Sequence, residues 1–143
     1  MTGNPPLIDT NVLVYLFDAD APEKRCISKD LIAACWKSEK CYSVSVQNLA
    51  EFSVVVTEKV ENPMPAEDVK RFIRNIRDFE GWNVVGYGSK TVIAAHDLRE
   101  RYRVHFRDAL LAATMIESGI ETIITEDAHL RRIPGITVVN PYQ

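Results

Sequence analysis

Positive charge is not in surplus: 17 Lys and Arg against 20 Asp and Glu leave a formal net charge of −3. General nucleic-acid binders draw much of their affinity from phosphate neutralisation, which this balance disfavours. A nucleic-acid role would have to rest on local basic patches or bound cations. Cysteine is scarce too. Cys26, Cys35 and Cys41 are odd in number and lack C-x-x-C spacing, which suits reduced, unpaired thiols filling core positions in a cytoplasmic protein. No apolar run approaches the roughly 18 residues that a membrane helix needs, so no membrane partner is expected. The opening "MTGNPP" has neither a basic n-region nor an apolar h-region, so no secretory leader is expected. His96, His105 and His129 show no H-E-x-x-H or zinc-ligand spacing, which leaves them surface or supporting roles.

Repeats, low-complexity segments and dividing linkers are also missing, and the 143 residues read as one domain, 1–143. That length buries a sizeable core without disulfide or metal staples. Helical and strand signals alternate along it. "PLI" (6–8), "CYSVS" (41–45), "NVVGYG" (83–88), "ETIIT" (121–125) and "ITVVN" (136–140) read as strands. "NVLVYLF" (11–17) reads as a helix or turn, and helices are expected over 22–38, 45–60, the stretch after Pro65, about 89–102 and 107–118. The last is apolar nearly all round, as a central buried helix is, and ends at Gly119, a suitable C′ residue. Ser45 and Ser89 are placed to cap the helices that follow them, and Trp36 and Trp82 read as core or interface aromatics. This alternation predicts an α/β fold, a three-layer α/β/α sandwich on a mainly parallel central sheet. Ligands of such folds bind beyond the carboxyl ends of the strands.

Four acids stand in unusual company. Asp9 ends the first strand, Asp108 opens the most apolar helix, and Asp127 follows the strand "TIIT". Each of these could simply cap a helix or complement its dipole. Glu51 resists that reading: it lies mid-helix in "NLAEFSVVV", with Gln47, Asn48, Val54 and Val55 at neighbour spacing and no Lys or Arg among them. Ionised carboxylates beside apolar segments are costly unless paired or bound to metal, so together the four read as a cluster. Carboxylates without an organised His or Cys set suit hard cations such as Mg²⁺ or Mn²⁺, which activate water and stabilise a leaving phosphate oxygen. Without a cation, four convergent carboxylates should repel one another. "RERYRVHFR" (99–107) is the best basic patch, equally readable as a solvated helix face. "GYGSKT" lacks phosphate-loop spacing and reads as a turn and helix cap.

"LIDTNVLVYLFD", "SVQNLAEF", "RDALLAA", "TIITED" and "VVNPY", in this order from about residue 7 to 142, resemble the PIN-domain family, specifically VapC-type toxin ribonucleases. The resemblance implies a Mg²⁺- or Mn²⁺-dependent endoribonuclease with Asp9, Glu51, Asp108 and Asp127 as metal-binding, catalytic acids. Thr10 and Asn11 would support the first acid, and Glu126 could share the role of Asp127. Arg101, Arg103 and Arg107 are candidate RNA contacts. The implied partners are RNA, a small VapB-type antitoxin offering Arg to the acidic groove, and a second copy in a homodimer. The alternative is a non-catalytic PIN-like module that binds RNA or protein. A phosphoacceptor signalling domain also gathers acids at strand ends, but would call for adjacent acids after the first strand and a Lys after the last; "IDTN" and "VVNPY" stand there instead.

Overall fold

Two residues show how the sheet is built. Leu7 and Ile8 form the whole of β1 (Leu7–Ile8), both fully buried, yet they enter different cores because successive strand side chains point to opposite faces. The computed structural model describes residues 3–143 and continues with α1 (Thr10–Tyr15), α2 (Pro22–Trp36), β2 (Tyr42–Ser45), α3 (Val46–Glu58) and α4 (Ala66–Asp78). Then come β3 (Trp82–Val85), α5 (Ser89–Tyr102), α6 (Phe106–Glu117), β4 (Thr122–Ile124), a 3₁₀ turn (His129–Arg132) and β5 (Thr137–Val139). All four strand pairings are parallel, in the order β3-β2-β1-β4-β5.

Each face of the sheet carries its own core, which makes the three-layer α/β/α sandwich. On one side Ile8, Val44 and Ile124 pack with Val12, Ile32, Phe52, Val69 and Ile76 from α1 to α4. On the other, Leu7 and Ile123 meet Ala95 of α5 and the run Ala109–Ala113 of α6. The near-continuous burial of α6 explains its apolar sequence. Gly119 follows it with φ of +67°, a left-handed conformation that only glycine adopts without strain.

The strand exits set the functional edge. β1 lies between β2 and β4, so the residues that leave β1 and β4, Asp9 and Thr125, come side by side: the Asp9 amide donates to the Ile124 carbonyl at 3.1 Å. Ser45 ends β2 and caps α3 through a reciprocal box, its Oγ accepting from the Asn48 amide at 3.0 Å. Two expectations fail in detail. Gly88, not Ser89, caps α5, with its amide donating to Thr91 Oγ1, so the turn starts one residue earlier. Only Cys35 is a core cysteine, whereas Cys26 and Cys41 are exposed. Trp82 is core and Trp36 packs against it.

Phe52 turns α3 so that the preceding Glu51 faces the strand exits. Its ring is fully buried and packs on Phe17 and Phe72 at centroid distances of 5.8 and 5.1 Å. Phe52→Ala should cost about 3–5 kcal/mol in urea unfolding. A loss below about 1 kcal/mol would show that the ring is not the anchor of this helix.

Candidate active site

Asp9 starts the site. It caps α1 by accepting from the Thr10 amide at 2.7 Å, and it is 1% exposed. Its Oδ1 also accepts from Asn48 Nδ2 at 3.2 Å, and its Oδ2 from the Thr125 hydroxyl at 2.7 Å. Asn48 is itself fixed by the Ser45 box and donates in addition to Thr10 Oγ1 at 3.0 Å. Thr10 in turn donates to Glu51 Oε1 at 2.7 Å. Three strand exits are thereby wired together through short polar side chains.

The cation that balances these acids comes from the chain itself. Arg107, in the first turn of α6, places its guanidinium among three carboxylates. Its Nε and Nη2 fork onto Glu51 at 2.9 and 2.8 Å, Nη2 reaches Asp9 Oδ1 at 2.7 Å, and Nη1 reaches Asp108 Oδ1 at 3.0 Å. Burial works against the guanidinium charge, but Glu51 and Asp9 outweigh it and hold its pKa above the ordinary arginine value. Burial likewise pushes the Glu51 carboxyl up, and Arg107, Thr10 and Gln47 together bring it below the usual range. Gln47 also donates to the Arg107 carbonyl at 3.0 Å, fixing α3 against the start of α6. The repulsion expected among empty acids is therefore offset internally.

Asp108, 4% exposed, is different. No hydrogen bond from the described residues reaches its Oδ2, which faces His129 Nδ1 at 3.6 Å. His129 Nδ1 also lies 3.1 Å from Asp127 Oδ1. One ligand atom each from Asp108, Asp127 and His129 fall within 4.8 Å of one another, a spacing that could hold a metal ion. These groups and Asp9, Glu51 and Arg107 line one open pocket of about 710 Å³, whose other wall is Val14, Tyr15, Val54 and Val55.

The sequence matches the PIN domain family over residues 7–136. The chain belongs to the PIN domain family. It is similar to ribonuclease VapC24 of Mycobacterium tuberculosis (strain CDC 1551 / Oshkosh), with 29% identity over 134 residues, 91% of this chain and 88% of that one. Its fold is that of a toxin–antitoxin complex chain from Klebsiella pneumoniae, at TM-score 0.63 and 24% identity, covering 96% of this chain and 98% of the other. VapBC2 from Rickettsia felis, solved with a promoter DNA fragment, is similar at TM-score 0.65 and 18% identity, again over 96% and 98%. Mycobacterium tuberculosis VapC20, a sarcin–ricin loop cleaving toxin, aligns at TM-score 0.59 and 18% identity over 82% and 85%.

In this PIN domain the four expected acids do line one pocket. Thr10 and Asn11 line it too, and Asn11 bridges α1 to the β4 exit through Thr125 Oγ1 at 3.0 Å. Glu126 does not. It is turned away, accepting from Lys24 and, at 2.6 Å, from the Tyr15 hydroxyl, so it cannot share the role of Asp127 in this arrangement. Arg107 also departs from expectation: its guanidinium is committed to acids rather than free for a phosphate. Arg101 stacks on Tyr102 at 5.5 Å, whereas Arg103 lines a second cleft with Arg99, His105, His129 and Arg132. Asn48, Thr125 and His129 escaped the sequence reading as site residues, although the capping signal at Ser45 pointed at the first.

Removing the guanidinium should expose what it balances. Arg107→Ala, in chelator, should lose about 2 kcal/mol or more of stability, a figure discounted because the side chain is one-third exposed. Adding Asp9→Asn to that variant should recover part of the loss. Unchanged stability in Arg107→Ala would show that the acids do not need this cation.

Proposed function

We propose that the chain is one PIN domain, 1–143, acting as a Mg²⁺- or Mn²⁺-dependent endoribonuclease and as the toxin of a VapBC-type pair. The observation that carries this reading is the convergence of Asp9, Glu51, Asp108 and Asp127 on one open pocket beyond the strand ends. The donor set fits a hard divalent ion, because Asp108 and Asp127 turn oxygens to one point. When bound, that ion would supply Lewis acidity for hydrolysis of a phosphodiester. The chain's own residues do the rest. Asp9, Thr10 and Asn48 hold the acidic floor rigid, and Arg107 keeps Glu51 and Asp108 in place.

RNA can approach along the basic cleft. It shares His105 and His129 with the acidic pocket, so Arg99, Arg103 and Arg132 can meet phosphates of the RNA that flank the pocket on that side. Single-stranded or loop RNA suits such a groove, since a flexible backbone follows it where a duplex does not. The name of ribonuclease VapC24 supports the activity, and the toxin–antitoxin structures support a VapB-type partner; a homodimer is part of the same proposal. A cytoplasmic site of action agrees with an RNA target; among the described residues no helix is long and apolar enough to cross a membrane. A non-catalytic PIN-like module would not need Asp108 buried with an open oxygen.

Purified protein, freed of inhibitor, should cut single-stranded RNA with Mg²⁺ or Mn²⁺ and stop in EDTA. Asp108→Asn should lower turnover about 100-fold or more while the fold persists. Cleavage that survives EDTA, or full activity in Asp108→Asn, would overturn the metal mechanism. For the cleft, Arg103→Ala should raise KM several-fold and leave kcat within about 2-fold, with a shallower salt dependence. A fall in kcat at constant KM would place Arg103 in the chemistry instead.

A further inference from the structure

The lone pairs of the acidic pocket are unevenly used. Asp9 Oδ1 already accepts from the Thr10 amide, Asn48 and Arg107, and its Oδ2 from Thr125. Glu51 Oε1 accepts from Thr10 and Arg107, and Oε2 from Arg107. A carboxylate offers about four acceptor positions, so this half of the pocket has almost none left. The other half is less used. Asp108 Oδ1 accepts from Arg107 and Asp127 Oδ1 from the His129 amide, whereas Oδ2 of the buried Asp108 accepts no hydrogen bond from the described residues and faces His129 Nδ1 at 3.6 Å, a nitrogen also 3.1 Å from Asp127.

We infer that the pocket takes one divalent ion rather than two: Arg107 is a fixed cation filling the Asp9–Glu51 half, and the ion is held by Asp108, Asp127 and His129. This rests on the metal-dependent nuclease reading and says which residues hold the metal. Two observations support it. The guanidinium makes charge-assisted bonds to three carboxylates, which a second ion would have to displace from a tethered competitor. The other is spacing: an octahedral ion with bonds near 2.1 Å sets opposite ligands about 4.2 Å apart, close to the 4.8 Å span of the three ligand atoms. The imidazole also sets selectivity. Mg²⁺ prefers oxygen and gains little from nitrogen, whereas first-row transition ions accept imidazole readily. His129 thereby makes this a site for Mn²⁺ or a later ion of that series over Mg²⁺.

The test counts ions and looks for nitrogen. Metal-free protein titrated with Mn²⁺, with free ion followed by electron paramagnetic resonance, should bind one tight Mn²⁺ per chain. Pulsed spectra of that complex should show ¹⁴N coupling, which His129→Ala abolishes. His129→Ala should weaken Mn²⁺ about 10- to 100-fold, and Mg²⁺, measured by competition, less than about 3-fold. Arg107→Gln should raise the count to two, whereas Arg107→Lys, which keeps a cation, should stay at one. Two tight ions in the unmodified protein overturn the proposal whether or not the Arg107 variants fold. So do an absent ¹⁴N coupling, equal losses of both metals in His129→Ala, or a count of one in folded Arg107→Gln. RNA cleavage is scored separately. One nitrogen-coupled ion without cleavage defeats the nuclease reading alone, and cleavage with two ions defeats this inference alone.

Discussion

The guanidinium of Arg107 is the constraint on which the site depends. It joins α6 to the β1 exit through Asp9 and to α3 through Glu51. Both connections cross the carboxyl edge of the sheet, where helices from the two faces meet. Asp9 and Asp108 are almost wholly buried, and ionised carboxylates there would be expensive without a partner. Arginine suits the task better than lysine would, because a planar fork can serve several carboxylates at once and keeps its charge under burial. A pocket lined by four acids thus carries a cation of its own, and its folded form does not wait on an added one to relieve repulsion.

Around that pair, ordinary local chemistry supplies the precision. The Ser45–Asn48 box is a helix cap of a familiar kind, but Asn48 has an amide to spare, and its two donors go to Asp9 and Thr10. Thr125 does the same at the neighbouring strand: its hydroxyl donates to Asp9 and accepts from Asn11 and from the Asp127 amide. Asp9 is a cap, and it also lines the pocket together with the other three acids. A side chain that ends a strand in a parallel sheet can begin a helix and still turn its remaining oxygen toward the functional edge.

Much of this was legible in the sequence where the signal is local. Among the described residues, period-two and helical patterns located the five strands and the helices α2 to α6 to within a few residues and left α1 as a helix or turn, and the apolar run after Asp108 announced a buried helix. Glu51 was legible for a physical reason too: a mid-helix acid without a basic neighbour must find its partner elsewhere. What could not be read was where. Arg107 lies 56 residues away from Glu51, and nothing local distinguishes it from Arg101 or Arg103, so all three looked like one basic patch. Glu126 and Asp127 are adjacent, and only the path of the chain after β4 decides that one turns to Lys24 and Tyr15 and the other to the pocket. His129 stands two residues from Asp127, but its other acid, Asp108, reaches it from another helix, so no ligand spacing stood out in the sequence.

The two halves of the pocket differ in how they are held as well as in charge. Asp9, Glu51 and Arg107 sit on elements locked into the two cores, and their mutual bonds leave few free rotamers. Asp127 and His129 belong to the turn between β4 and β5, and both are substantially exposed. That turn is tied down by short polar contacts: the Asp127 amide to Thr125, and the His129 amide to Asp127 Oδ1 at 2.8 Å. Regions held by few buried contacts open more readily than cores. The tightly bonded half can therefore fix geometry, and Asp108, buried yet with one oxygen that accepts no hydrogen bond from the described residues, is where the two halves meet. An ion bound as proposed would enter and leave without changing the pocket's shape, because the residues that set the shape are not the ones that must let go.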